Sequence, residues 1–183
     1  MTIPRTLILP VLFLLALPGI AHAEKNLKAH VHGNAQLTVA MENDKSLQVD
    51  LDVPADSIIG FEHQARSEKD QKAQTAGLNH LEKGLLKLIE FPASFGCKVS
   101  GVKVGMETEA HEEKPTPGKA PHGEHSDVNA SYTLTCDQAV SGTSAKVGLI
   151  GLFPKIKAVS VKVLGSNSQT EKKISKNGES LEF

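Results

Sequence analysis

The chain has 183 residues, 39% of them hydrophobic and 22% charged, with a formal net charge of -1. That length suits one domain, or at most two small ones. Near-zero charge with one Tyr and no Trp excludes the basic, base-stacking surface of a nucleic-acid-binding protein, and equally the aromatic girdle of an outer-membrane barrel. Eight histidines stand beside only two cysteines, and their placement carries the rest of the reading.

The chain opens MTIPRTLILPVLFLLALPGIAHA: Arg5, an apolar run over residues 7–17, then Pro18, Gly19 and the small-residue site Ala21-His22-Ala23. This pattern predicts a secretory signal peptide over residues 1–23. An uncleaved anchor is the alternative, but the run is too short to span a bilayer comfortably. Residues 24–183 are then expected to form a single domain outside the cytoplasm, and His22 departs with the signal.

Residues 28–42 alternate strictly. Ala29, Val31, Ala35, Leu37, Val39 and Met41 share one side; His30, His32, Asn34, Gln36 and Thr38 share the other. This is the period of a half-buried strand. Leu47, Val49, Leu51 and Val53 repeat it, and Asn43-Asp44-Lys45 predicts the hairpin turn between them, pairing Glu42 with Ser46. Pro54 ends the second strand. The apolar segment SIIGFEH follows, carrying Glu62 and His63. Ser67 with Asp70 three residues on predicts a helix start, and Leu78, Leu81, Leu85 and Leu88 give it an apolar stripe up to Phe91-Pro92. His80 falls off that stripe and is expected at the surface.

Residues 97–104 form a further short strand. Composition then changes: residues 107–127 hold three His, three Pro and six acidic residues with few large apolar ones, which predicts a flexible loop containing His111, His122 and His125. Residues 128–136 alternate again. Strands are expected near 146–151, 157–164 and, more weakly, 169–174, with Leu181 and Phe183 in alternating positions at the end. The expected fold is α+β: a mainly antiparallel sheet or sandwich of six to seven strands, one long helix and a flexible His/acidic loop.

Export gives Cys97 and Cys136 their meaning. An isolated pair in an oxidising compartment reads as a disulfide, with a thiolate zinc site as the alternative. If they are bridged, a metal site must come from histidine and carboxylate. On a strand, His30 and His32 share a face ~6.6 Å apart along the chain, so both imidazoles can converge on one ion. With Glu62 and His63 they would complete a tetrahedral zinc set. A solvated polar face, with His63 bonded into the core, is the alternative. His111, His122 and His125 would bind metal more loosely among the loop acids, unless the segment is only a charged linker. Imidazole with carboxylate suits Zn²⁺, with copper or nickel open; Met41 and Met106 are too scattered for a Cu⁺ carrier.

Enzyme motifs are missing. His111-Glu112-Glu113-Lys114-Pro115 opens like a zincin helix but places Pro where the second His is required. No nucleophile elbow, P-loop or dinucleotide fingerprint occurs. The HVH strand has a counterpart in copper/zinc superoxide dismutase, whose further histidine motifs this chain lacks. A non-catalytic binding protein is the reading; a structural or interaction domain with incidental histidines competes with it.

HVHGNAQLTVA, GFEHQARSEKDQKA, FPASFGCKV, a His-bearing acidic insert, YTLTCDQ and LFPKIKAVSVKVLGSNSQ, in this order, resemble the ZrgA-type periplasmic zinc-uptake proteins across nearly all of the chain after the signal. The resemblance implies a periplasmic protein that captures Zn²⁺ and assists its uptake beside an ABC-type zinc importer. It maps His30, His32 and His63 onto the family's motif histidines, and His111, His122 and His125 onto its loop. Members often carry a denser loop tract, so here the weight moves to the HVHG/GFEH site.

Overall fold

The computed structural model describes residues 31–109, 125–166 and 168–183. The expected signal peptide, His30, His111 and His122 lie outside them.

The alternating segments form the expected hairpin. β1 (Asn34–Asn43) and β2 (Ser46–Pro54) pair antiparallel from Gln36↔Asp52 to Met41↔Leu47. Asp44 and Lys45 make the turn, where the register shifts so that Asn43, not Glu42, faces Ser46. The Ser46 hydroxyl still donates to Glu42 at 3.0 Å. Leu37, Val39, Leu47, Val49 and Leu51 are buried, as a period of two requires when one sheet face is covered.

β4 (Lys98–Glu109) and β5 (His125–Thr135) extend this sheet on the β2 side; β7 (Ala158–Leu164) and β8 (Gln169–Ile174) extend it on the β1 side. The order is β4-β5-β2-β1-β7-β8, antiparallel except for the parallel pair β1/β7. A second sheet, β3-β6-β9, is built from β3 (Ile89–Glu90), β6 (Ser144–Val147) and β9 (Glu179–Glu182). Nine strands are thus present among the described residues, against the six to seven expected; the additional ones are very short.

Helices α1 (Ala55–Ile59), α2 (Glu68–Lys83) and α3 (Leu85–Leu88) follow β2. Ser67 caps α2 as predicted: its side chain accepts from the Asp70 amide at 3.1 Å, and Asp70 accepts from the Ser67 amide. The helix does not run unbroken to Phe91-Pro92. It stops at Gly84, where a Cβ would press on the His80 carbonyl at 3.1 Å and on Leu152 at 3.2 Å. Leu81 of α2 with Leu85 and Leu88 of α3 are buried in one core with both sheets. The expected strand near 146–151 is also cut short. Gly148 packs too closely on the Lys87 carbonyl for any side chain, and α4 (Leu149–Leu152) begins there.

The Cys97–Cys136 disulfide forms, closing the start of β4 onto the residue after β5. Tyr132 is buried with its hydroxyl unpartnered, and that burial pushes the phenol well above its ordinary value. No helix among the described residues is long and apolar enough to cross a membrane.

Candidate metal centre

Three chain segments meet at one end of the β4-β5-β2-β1 sheet. The first precedes β1. His32 and Gly33 form a turn rather than the expected strand, because Gly33 adopts φ 79°, a left-handed backbone that interrupts an extended run. The Asn34 amide donates to the Val31 carbonyl at 2.9 Å, closing that turn. The shared strand face proposed for the HVH histidines therefore does not hold at His32. Its imidazole instead swings to the sheet end and remains 65% exposed.

The second segment follows β2. Pro54, at φ -53°, leads into α1, which places Asp56 in its first turn. Gly60 closes the helix at φ 97° with its amide bonded to the Asp56 carbonyl. The chain reverses there and presents Glu62, whose side chain is only 14% exposed. The third segment is the start of β5. Strands β4 and β5 continue pairing through Glu107↔Asp127, Thr108↔Ser126 and Glu109↔His125. Both margins of the expected 107–127 loop are therefore strand, and His125 is the first residue of β5 rather than part of a loop. Strand pairing holds these polar residues despite their low apolar content.

The side chains converge on Glu62. One carboxylate oxygen lies 3.2 Å from His32 Nδ1, the other 2.8 Å from His125 Nδ1. Asp56 Oδ1 lies 3.3 Å from the same His32 nitrogen. Ligand atoms of His32, Asp56 and Glu62 all fall within 4.8 Å of one another. The hydrogen bond to Asp56, then the charges of Glu62 and Asp56, raise the His32 pKa above 6.5.

Other histidines lie elsewhere. His63 stacks on Phe61, with ring centroids 4.7 Å apart, and its Nδ1 is 3.0 Å from the Gln64 carbonyl oxygen. It is no member of the His32/Asp56/Glu62 group. His80 is exposed, as expected, and meets the Phe153 ring edge-on at 5.3 Å. Asp56 was not singled out by sequence: it lies 24 residues from His32 and follows Pro54, where an acid reads simply as a helix-start residue.

Residues 29–183 match the family model described as ZrgA family zinc uptake protein. The chain belongs to the ZrgA family of zinc uptake proteins. No curated protein sequence matches it. As in the resemblance read from HVHG and GFEH, the match takes in most of the chain, and a zinc-related uptake role follows for this ZrgA member.

Zinc bonds to imidazole nitrogen and carboxylate oxygen are about 2.0–2.1 Å long, so neighbouring ligands of a tetrahedral ion stand about 3.3 Å apart. The His32 nitrogen already sits 3.2 and 3.3 Å from the Glu62 and Asp56 oxygens. An ion replacing the protons shared in these contacts would need little movement of either carboxylate. Nitrogen and oxygen donors without sulfur suit Zn²⁺ over Cu⁺.

Proposed function

We propose that the protein binds Zn²⁺ in the periplasm and supports its transfer to an importer. The observation that carries this reading is the Glu62 carboxylate lying between the His32 and His125 imidazoles, with Asp56 on the same His32 nitrogen. One imidazole and two carboxylates within reach of one ion supply three donors for tetrahedral zinc and leave the fourth position to water or to an acceptor's ligand. The ordered site is thus His32, Asp56 and Glu62, with His125 bonded to the second Glu62 oxygen and orienting that carboxylate; it keeps two residues marked by sequence and adds Asp56, and His125 leaves the labile set to support it. His63, held against Phe61, is outside it. His30 adjoins the site in sequence, and His111 and His122, in the stretch of sequence between Glu109 and His125, act as a labile capture arm. Zinc is cargo, and an ABC-type zinc importer or its binding protein is the recipient. The signal at residues 1–23 and the Cys97–Cys136 disulfide support the periplasmic setting.

Half-exposed histidines suit a carrier. With His32 65% and His125 51% exposed, an acceptor's ligands can approach the ion before the protein's own ligands leave. Calorimetric titration of the secreted chain with Zn²⁺ tests the reading. The expected result is one tight site in the wild type that His32→Ala and Glu62→Gln each weaken at least tenfold, within the range for loss of a ligand or its support. Unchanged affinity and stoichiometry in both variants would sink it.

A further inference from the structure

The stretch Leu152-Phe153-Pro154-Lys155-Ile156-Lys157-Ala158 has no part in the ligand set, yet it reaches both halves of the centre. Phe153 and Ile156 are buried in the core, and the Ile156 amide donates to the Phe153 carbonyl at 2.9 Å, so the two apolar residues anchor a tight turn. Pro154 and Lys155 form its tip, and the turn is tied further by Lys157 Nζ donating to the Pro154 carbonyl at 2.7 Å. Pro at this place sets the backbone angle that such a turn needs.

From that tip the Lys155 ammonium donates to the Asp56 carbonyl at 3.1 Å and comes within 4.0 Å of where a Cβ on Gly60 would be. It therefore binds the carbonyl that also closes α1 through the Gly60 amide. The same stretch holds the other half by its backbone. The Lys157 and Ala158 amides both donate to the Gly33 carbonyl, at 2.7 and 3.1 Å, one residue beyond His32. Gly33 packs on the Lys155 carbonyl so tightly that a Cβ would stand 3.1 Å from it.

We infer that Lys155 is a positioning residue of the metal centre, locking α1, and with it Asp56 and Glu62, onto the turn that carries His32. The inference rests on the zinc-binding reading above and names the residue that sets its geometry. A cation this close to a cation site would be expected to weaken binding if charge alone mattered. Its bond to a backbone carbonyl gives the opposite sign, because losing it frees α1 to drift from His32.

The test is calorimetric zinc titration of the wild type, Lys155→Met and Lys155→Arg, with thermal unfolding in chelator as the fold control. Groups that orient metal ligands typically contribute 10–100-fold to affinity, and this exposed bond belongs at the low end. Lys155→Met is expected to weaken zinc about tenfold with an unchanged unfolding midpoint in chelator, and Lys155→Arg to recover most of the loss. Equal or tighter binding by Lys155→Met overturns the positioning role while leaving the zinc reading intact. Failure of Arg to recover any affinity also counts against it. No binding by the wild type, or no effect of His32→Ala, would instead remove the zinc reading on which it stands.

Discussion

His32 is held by two carboxylates, and its protonation would set the terms on which zinc enters the proposed site. The Asp56 hydrogen bond, with the Glu62 and Asp56 charges, lifts its pKa above the ordinary 6.5. A group whose folded pKa is raised stabilises the fold fully below its unfolded value, and that contribution disappears as pH rises through the folded pKa. Under the proposed zinc binding the sign reverses, since zinc takes a neutral imidazole and must displace the proton. Affinity is therefore expected to fall as pH drops through the raised His32 value. Asp56→Asn should move the His32 titration back toward 6.5, as followed by NMR of the imidazole in the metal-free protein. A midpoint that stays put would show that Asp56 is not the main cause. At this scale the sequence was partly legible. His32 and Glu62 could be marked by motif, whereas Asp56 reaches them only through α1, and His63 shares the GFEH motif but turns onto Phe61.

Among the elements, α2 was the most legible, because its start is written locally. Ser67 and Asp70 satisfy each other's backbone amides, as a capping box does. Ser67→Ala is expected to cost about 1 kcal/mol in urea unfolding at neutral pH. The Ser67 hydroxyl, chiefly, holds the Asp70 carboxyl below its ordinary 3.8. A depressed carboxylate stabilises above its unfolded pKa and loses that effect as pH falls through the folded value. The gap between wild type and Ser67→Ala should then narrow on acidification below 3.8; a constant gap would place the effect elsewhere. Alternation likewise located β1 and β2, since Leu37, Val39, Leu47 and Val49 face the core. It overextended β1 backward across His32, because HVHG keeps the polar–apolar rhythm while Gly33 breaks the backbone. It ended β4 too early and started β5 too late, since pairing to Glu109 and His125 comes from continuing the ladder, not from apolar content.

For the whole molecule the disulfide and the candidate metal centre sit at opposite ends of the β4/β5 pair. Cys97 precedes the Lys98↔Thr135 end and Cys136 follows it, whereas His125 faces Glu109 at the other. Replacing both cysteines by serine is expected to lower unfolding free energy by about 4 kcal/mol in the chain-entropy model for this 39-residue separation. Zinc affinity of the folded protein should not change, because neither sulfur is near a ligand. Denaturant unfolding with parallel zinc titration checks both halves; a coupled loss of affinity would mean that strain travels the length of the pair.

Sequence alone determined the alternating strands, the cap of α2, the pairing of the two cysteines and the family, because each is carried by residues close in the chain or by residue type. The parallel pairing of β1 with β7, the break at Gly84 and the meeting of His32, Asp56, Glu62 and His125 were decided by tertiary structure. The reason is physical: strand order and the approach of distant side chains depend on which apolar faces share a core, and no local period records that choice.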